Sequence, residues 1–247
     1  MAYGAFADVY DAFNEDADYL ALHSALKKRL DAFNIRDGIL IDLGCGTGDL
    51  TLLLAQDGYD MIGVDLSDEM LSILREKAEE KGVHNLLLLC QDLTELDLYG
   101  TVRAAVSTFD TLNHIGPFSQ FSKALKRAAL FVEPGGIVLF DMNTPFKHKQ
   151  VLGNQVFELE AEDVFCTWSN HLDEKNHLTD IQIEIIDKET ATREVELFQE
   201  YYYTMPEIEM ACQQAGLQII EVCDGENFGA LRPDSERYLI TALKKEI

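Results

Sequence analysis

Two rhythms of apolar and polar residues divide this chain. From residue 38 to 142, short and almost wholly apolar runs alternate with stretches whose apolar residues recur every three or four positions. The short runs fall at 38–41, 60–65, 86–90, 102–108 and 137–142, and each predicts a strand. The helical spacing falls at 18–30 (Leu22, Leu26 and Leu30 on one face), 50–55, 68–81 and 118–132 (Phe121, Leu125, Ala128 and Ala129). Ser67 is placed to cap its helix, with Asp68 and Glu69 favourable in the first turn and Gly82 beyond the end. Pro134-Gly135-Gly136 is read as the turn into the fifth strand. Strands this apolar, alternating with helices, imply a parallel sheet covered on both faces.

Residues 154–203 break that rhythm. Runs at 156–160, 178–185 and 195–204 alternate with period two, and Ile181, Ile183 and Ile185 share one side. Turn-rich separators lie at 173–176 and 187–190. This pattern predicts a small antiparallel sheet inserted after the fifth strand and covering the rim of the first sheet. Helical spacing then resumes. Thr204 and Glu207 form a capping box, Pro206 lies in the first turn, and Gly216 stops the helix. Two more strands follow at 217–223 and 237–243. The expected fold is α/β: a seven-stranded, mostly parallel sheet with helices on both faces, plus the inserted sheet. Its core comprises 1–145 and 204–247, with 1–35 as an N-terminal lid and helix, and 146–203 as the inserted lid or substrate subdomain.

Composition narrows the function. The net charge of −24 repels phosphate backbones and disfavours a nucleic-acid partner. No apolar stretch nears the roughly 18 residues that span a bilayer, and the first residues lack a basic segment leading into an apolar one. A cytoplasmic location without membrane association is the expectation. Five scattered cysteines, never spaced C-x-x-C, suggest reduced thiols and no structural zinc. His171 and His177 fit a surface hairpin better than a metal site, and no metal is expected.

The richest segment is Asp-Leu-Gly-Cys-Gly-Thr-Gly at 42–48, between a predicted strand and a predicted helix. Glycines here let the chain turn sharply and let a ligand reach main-chain N–H groups. A second acid, Asp65, ends the next strand about 20 residues on, the usual interval for a carboxylate that grips a ribose. The loop is G-x-G-x-G preceded by an acid, not G-x-G-x-x-G, and no Walker lysine follows. That argues against a dinucleotide oxidoreductase and a phosphate cradle. An acid at the strand tip suits a ligand with an ammonium group.

With these motifs the sequence resembles the class I S-adenosylmethionine-dependent methyltransferases, whose fold is Rossmann-like. Gly-Val-Asp-Leu-Ser at 63–67, Glu-Met-Leu at 69–71, Gln-Asp-Leu at 91–93, Pro-Gly-Gly at 134–136 and Glu-Arg-Tyr-Leu-Ile at 236–240 extend the match over most of the chain. Within the family it looks most like the small-molecule branch, which includes glycine and amino-sugar N-methyltransferases. The resemblance implies S-adenosylmethionine as cofactor. Gly44, Cys45, Gly46, Thr47 and Gly48 would contact its amino-acid end and ribose, and Asp42 its ammonium. Asp65 would take the ribose hydroxyls. Leu66 and Met70 would pack on adenine, Asp92 would accept from its amine, and Gln91, Leu93 and Thr108 would complete the pocket. A small buried side chain accounts for Cys45 better than nucleophilic catalysis does.

In similar amino-sugar enzymes a histidine after strand four and an N-terminal tyrosine lie near the acceptor amine. His114 and Tyr10 match those positions approximately and are the candidate catalytic residues; Tyr10 and Phe6 could close over the cofactor or act as a hydrophobic staple of the first helix. Asn113, Trp168 and Tyr202 are candidate substrate contacts, although aromatics of the insert could equally hold a small sheet together. The chain lacks the Asn/Asp-Pro-Pro-Tyr/Phe signature of nucleic-acid-base and glutamine methylation. The reading is a transferase that moves methyl to N or O of a small molecule, as a monomer or homodimer. The competing reading is a cofactor-binding, non-catalytic subunit that supports a partner protein. An acidic, aromatic lid suits a cationic or amine-bearing acceptor.

Overall fold

The computed structural model describes residues 18–160 and 164–245. Helix α1 (Tyr19–Ala32) is capped by Asp18, whose carboxylate accepts from the Ala21 N–H at 2.8 Å. Then follow β1 (Ile39–Leu43), α2 (Asp49–Gln56), β2 (Asp60–Asp65), α3 (Asp68–Glu80), β3 (Leu86–Cys90), β4 (Val102–Ser107), α4 (Phe118–Phe131) and β5 (Val132–Asn143). Ser67 caps α3, accepting from the Met70 N–H at 3.2 Å. After the insert come α5 (Met205–Gln214), β10 (Leu217–Asp224) and β11 (Arg237–Lys244). At α5, Glu207 reaches back to the Thr204 N–H at 2.7 Å, the reciprocal half of the expected capping box.

Seven strands form one sheet in the order β10-β11-β5-β4-β1-β2-β3. β11 runs antiparallel to both neighbours, and the other pairs are parallel. The chain order reverses between β1 and β4, where α/β sheets open a crevice beyond the strand C-termini. Each face carries its own core. Ile41, Val138, Phe140 and Ile240 pack under α4 and α5, and Leu40, Val106, Leu139 and Leu239 pack under α1 and α2. Each fully buried side chain of this size contributes about 1.5–3 kcal/mol. One boundary differs from expectation. Pro134-Gly135-Gly136 interrupts a strand that already began at Val132, and the pairing slips there from Val102↔Val132 to Ala104↔Ile137. A Cβ on Gly136 would lie 2.5 Å from the Arg103 carbonyl oxygen, so only glycine lets the two backbones close up again.

The insert is a four-stranded antiparallel sheet: β6 (Val156–Glu160), β7 (Val164–Asp173), β8 (Leu178–Asp187) and β9 (Arg193–Tyr201). The sequence pattern reveals three of these and misses β7. On β7 the face that starts with Cys166 and Trp168 ends in Asn170, and Phe165 lies on the opposite face, so its alternation is broken. Cys166, Ile181, Ile183, Ile185 and Phe198 form the insert's own core. Contacts with the main sheet's rim concentrate at the end of β9. Tyr201 packs so tightly on Gly116 that a Cβ there would stand 2.0 Å from its ring. Among the described residues no helix is long and apolar enough to cross a membrane.

Candidate active site

The loop from β1 to α2 is fixed from behind by backbone. The Gly44 and Cys45 N–H groups both donate to the Val64 carbonyl, at 2.7 and 3.0 Å. Gly44 and Gly48 have φ of +76° and +86°, and a Cβ would lie 2.2 Å from Thr111 at the first and 2.0 Å from Leu74 at the second. Gly46, with φ +52°, has nothing within 4 Å of that position and leaves the loop surface open. Asp65 locks the loop to β2: Oδ2 accepts from the Gly46 N–H at 2.9 Å and Oδ1 from the Ser67 N–H at 2.9 Å. Burial raises the Asp65 carboxyl, against those donors. Asp42 lies beneath the loop, where the Thr51 hydroxyl donates to it at 2.5 Å. Burial pushes Asp42 up to about 7 in spite of that bond, with the Asp65 charge adding to the effect. Burial also drives the Cys45 thiol well up, which is wrong for a nucleophile.

Three cavities meet along this rim. One of about 70 Å³ is lined by Asp42, residues 44–50, Asp65, Met70 and Thr108. A second, of about 360 Å³, shares Gly44 and Asp65 with it and adds Leu66, Gln91, Asp92, Leu93 and Ile115. The third, of about 780 Å³, lies between Leu66 and Gly116 on one side and Asn170, Ile181, Gln182, Phe198 and Gln199 of the insert on the other. His114 lines all three. Every residue expected to touch the cofactor therefore faces the first or second cavity. Two of them also shape the backbone. Gln91 clasps Asp97, accepting from its N–H at 3.0 Å and donating to its carbonyl at 3.3 Å, and Asp92 caps a short turn at the Thr94 N–H, 2.7 Å.

His114 ends a 3₁₀ turn held by an unusual loop after β4. Phe109 and Asp110 both adopt left-handed backbone, with φ of +53° and +54°. Such residues cost about 1–3 kcal/mol each and persist only when neighbours over-determine them. Here Asp141 accepts from both consecutive N–H groups, at 2.8 and 2.7 Å, and Arg237 bridges Asp110 and Asp141 at 3.0 and 3.1 Å. Burial would raise the Asp110 carboxyl, but Arg237, Lys147 and His114 outweigh it and hold it at about 2. Arg237 lies in the closing Glu-Arg-Tyr-Leu-Ile motif, the one sequence signal that could have marked this clamp.

The expected substrate contacts do not reach the cavities. Asn113 is fully buried, donates to the Tyr201 carbonyl at 2.8 Å and accepts from the Asn143 N–H at 2.9 Å, so it ties the loop to the insert. Trp168 donates to Asn170 at 2.9 Å within the insert, and Tyr202, 1% exposed, stacks on His177 at 4.6 Å. Burial accounts for Asn113 and Tyr202, whereas Trp168 is half-buried and lies outside the lining of these three cavities. Tyr10 and Phe6 lie outside the described residues. Glu200, which sequence reasoning passed over, lies 4.0 Å from His114. Asp110, His114 and Glu200 offer ligand atoms within 4.8 Å of one another, but the Asn143 amide already donates to both carboxylates, at 3.0 and 3.1 Å.

Residues 40–136 match the family described as "Methyltransferase domain". The chain carries a methyltransferase domain. A Bacillus subtilis protein provisionally named as a methyltransferase is 28% identical over 249 residues, covering 100% of this chain and 98% of its own. The crystal structure of an S-adenosylmethionine-dependent methyltransferase from Clostridium acetobutylicum superimposes with a TM-score of 0.89 at 28% identity, over 100% of both chains. The dTDP-3-amino-3,4,6-trideoxy-alpha-D-glucopyranose N,N-dimethyltransferase of Streptomyces venezuelae is 27% identical over 137 residues, 55% of this chain and 56% of its own. The enzyme class, fold and cofactor read from the sequence hold: the protein is an S-adenosylmethionine-dependent methyltransferase. The site fits that cofactor. Two carboxylates face one cavity, suiting a ligand with an ammonium and ribose hydroxyls, and the bare surface at Gly46 admits close backbone approach.

Proposed function

We propose that this methyltransferase methylates a nitrogen or oxygen of a small molecule seated in the cavity between the rim and the insert. An amine-bearing acceptor is favoured. The observation that carries the reading is the position of His114 where that cavity meets the two cofactor cavities. Asp180 on the cavity wall and the net charge of −24 favour a cationic or amine acceptor over a nucleic acid. The partial match to an amino-sugar dimethyltransferase points the same way. All five cysteines are free, in keeping with a reducing cytoplasm.

When bound, S-adenosylmethionine supplies a methyl group on positively charged sulfur, activated for in-line displacement. Asp65 would hold the ribose hydroxyls and Asp42 the ammonium, ionising fully as that charge arrives. Leu66 and Met70 would pack on adenine, and Asp92 would accept from its amine. His114 would orient the acceptor and take its proton. Alignment of this kind contributes up to roughly 7–11 kcal/mol, and closure by the insert excludes water as a competitor.

Calorimetry with S-adenosylhomocysteine, followed by an S-adenosylhomocysteine-release assay on a panel of small primary amines and amino sugars, tests the reading. Expected are binding by the parent protein and by His114→Ala, and turnover by the parent alone. Binding without turnover on any amine or hydroxyl acceptor would favour the non-catalytic subunit instead.

A further inference from the structure

We propose that Glu200, supplied by the inserted sheet, is a positioning residue for catalysis: it sets the ring of His114 and balances the charge that ring acquires on taking the acceptor's proton. The proposal rests on the methyl-transfer reading of the same site. Glu200 is 2% exposed near the end of β9, paired with fully buried Thr179 on β8. Elsewhere on that strand Glu194 is exposed, as a glutamate on a small sheet should be. A buried carboxylate is tolerated only where donors surround it.

Nitrogen-bearing groups approach Glu200 on three sides. The Asn143 amide donates to Oε2 at 3.1 Å. His148 Nε2, a buried nitrogen with no hydrogen-bond partner, lies 3.6 Å from the same oxygen. His114 Nε2 lies 4.0 Å from Oε1. Burial pushes His148 down to about 4, so its ring is neutral and carries one proton. Its Nδ1 is 2.8 Å from the Thr179 hydroxyl. If that hydroxyl donates to Nδ1, the ring proton is on Nε2 and points at Glu200. Burial and the Asp110 charge raise the Glu200 carboxyl, while His114, Asn143 and Lys147 favour its ionised form. Arg237 and Lys147 offset Asp110 on its other side.

The consequence for His114 is directional. With Nε2–H turned to Glu200, the ring's other nitrogen, Nδ1, is the proton acceptor. As the acceptor's lone pair forms a bond to the methyl carbon and the carbon–sulfur bond breaks, the acceptor's N–H or O–H proton passes to Nδ1. The electron pair of that bond stays on the heteroatom. The resulting imidazolium faces the Glu200 carboxylate, and the proton then leaves to water. This is the logic of a base oriented by a third group. At 4.0 Å the contact is longer than a hydrogen bond, as catalytic contacts often are before ligands bind, yet close enough for charge to act. The insert thereby completes the base as well as covering it.

The test is ¹⁵N-imidazole NMR of the protein saturated with S-adenosylhomocysteine, with His114 signals assigned by their loss in His114→Ala. Glu200→Gln keeps shape but removes charge. The pH midpoint of the His114 ring signals should then fall, because the imidazolium loses the anion 4.0 Å away. Among the described residues, Asp65 and Asp110 also act on His114, and both stay in place. S-adenosylhomocysteine affinity should be unchanged, and turnover on the amine panel should fall at least tenfold. Glu200→Asp should move the midpoint the same way by less, and it carries the test if the Gln variant does not fold. An unmoved midpoint in both variants would overturn the proposal, as would stoichiometric zinc binding that broadens the His114 signals and is lost in Glu200→Gln. The titration needs no turnover. Absent turnover alongside a shifted midpoint would thus refute methyl transfer to the panel and leave the Glu200–His114 coupling standing.

Discussion

The two sheets hold the residues proposed for function in opposite ways. In the seven-stranded sheet, Asp42 and Asp65 lie at or beside strand tips and glycine turns, and their placement follows from a few consecutive residues. In the four-stranded sheet, Glu200 lies within an ordinary strand. It comes to face His114 because β9 pairs with β8 in one register and because Tyr201 and Asn113 dock that strand on the rim. The first kind of site is local and rigid, built on backbone that side chains cannot enter. The second depends on the relation between two separately packed cores, and a one-residue slip would turn Glu200 to the other face.

The strongest challenge to that contrast is Gly48→Val. The added side chain meets Leu74 at a position with φ of +86°, so strain and overpacking together should cost roughly 2–6 kcal/mol in urea unfolding. Gly58→Ala, with φ of +100° but no atom within 4 Å, should cost only the backbone part; equal losses would show that the loop is no tighter than a surface turn. Next is Ile183→Ala in the insert core, expected to remove about 2–5 kcal/mol of stability while leaving S-adenosylhomocysteine affinity intact by calorimetry. Lost affinity there would mean that the two cores are not separate. Asp65→Ala should weaken S-adenosylhomocysteine binding by about 1.5–3 kcal/mol, the scale of a hydrogen bond to a charged group.

The smallest effect concerns Asp42. Its folded value of about 7 is above the ordinary 3.8, so the folded chain holds that proton more tightly than the unfolded one. Stability from this group is therefore full below pH 3.8 and lost as pH rises through 7. Asp42→Asn should melt higher than the parent at pH 8 and match it near pH 4. The gain should be about 1 kcal/mol, well below the full electrostatic cost, because the buried amide also gives up water. Cofactor-product affinity should fall in the same variant, a trade of stability against function. A variant no more stable at pH 8 would mean that Asp42 is solvated.

What could be read in advance follows the same division. The order of strands and helices in the main sheet was legible because its apolar runs and caps are local, as Ser67 and Thr204 show. The thirteen residues proposed to contact the cofactor could be singled out for the same reason, since they cluster at strand ends, and they line two adjoining cavities. The acceptor side was not. For Trp168 and Tyr202 the sequence left an aromatic wall and a packing role both open, and their contacts with Asn170 and His177 lie within the insert. Asp141 and Arg237 are far apart in the chain, and only the antiparallel pairing of β11 with β5 brings them together. Glu200 carries no local mark at all, because a glutamate in an alternating strand ordinarily points to water.

Leu66 is 61% exposed and lines both the second and the third cavity. A ligand in either chamber strips water from part of one shared side chain. Filling each chamber should therefore give a negative change in heat capacity, and the two changes measured singly should exceed the change measured when both are filled.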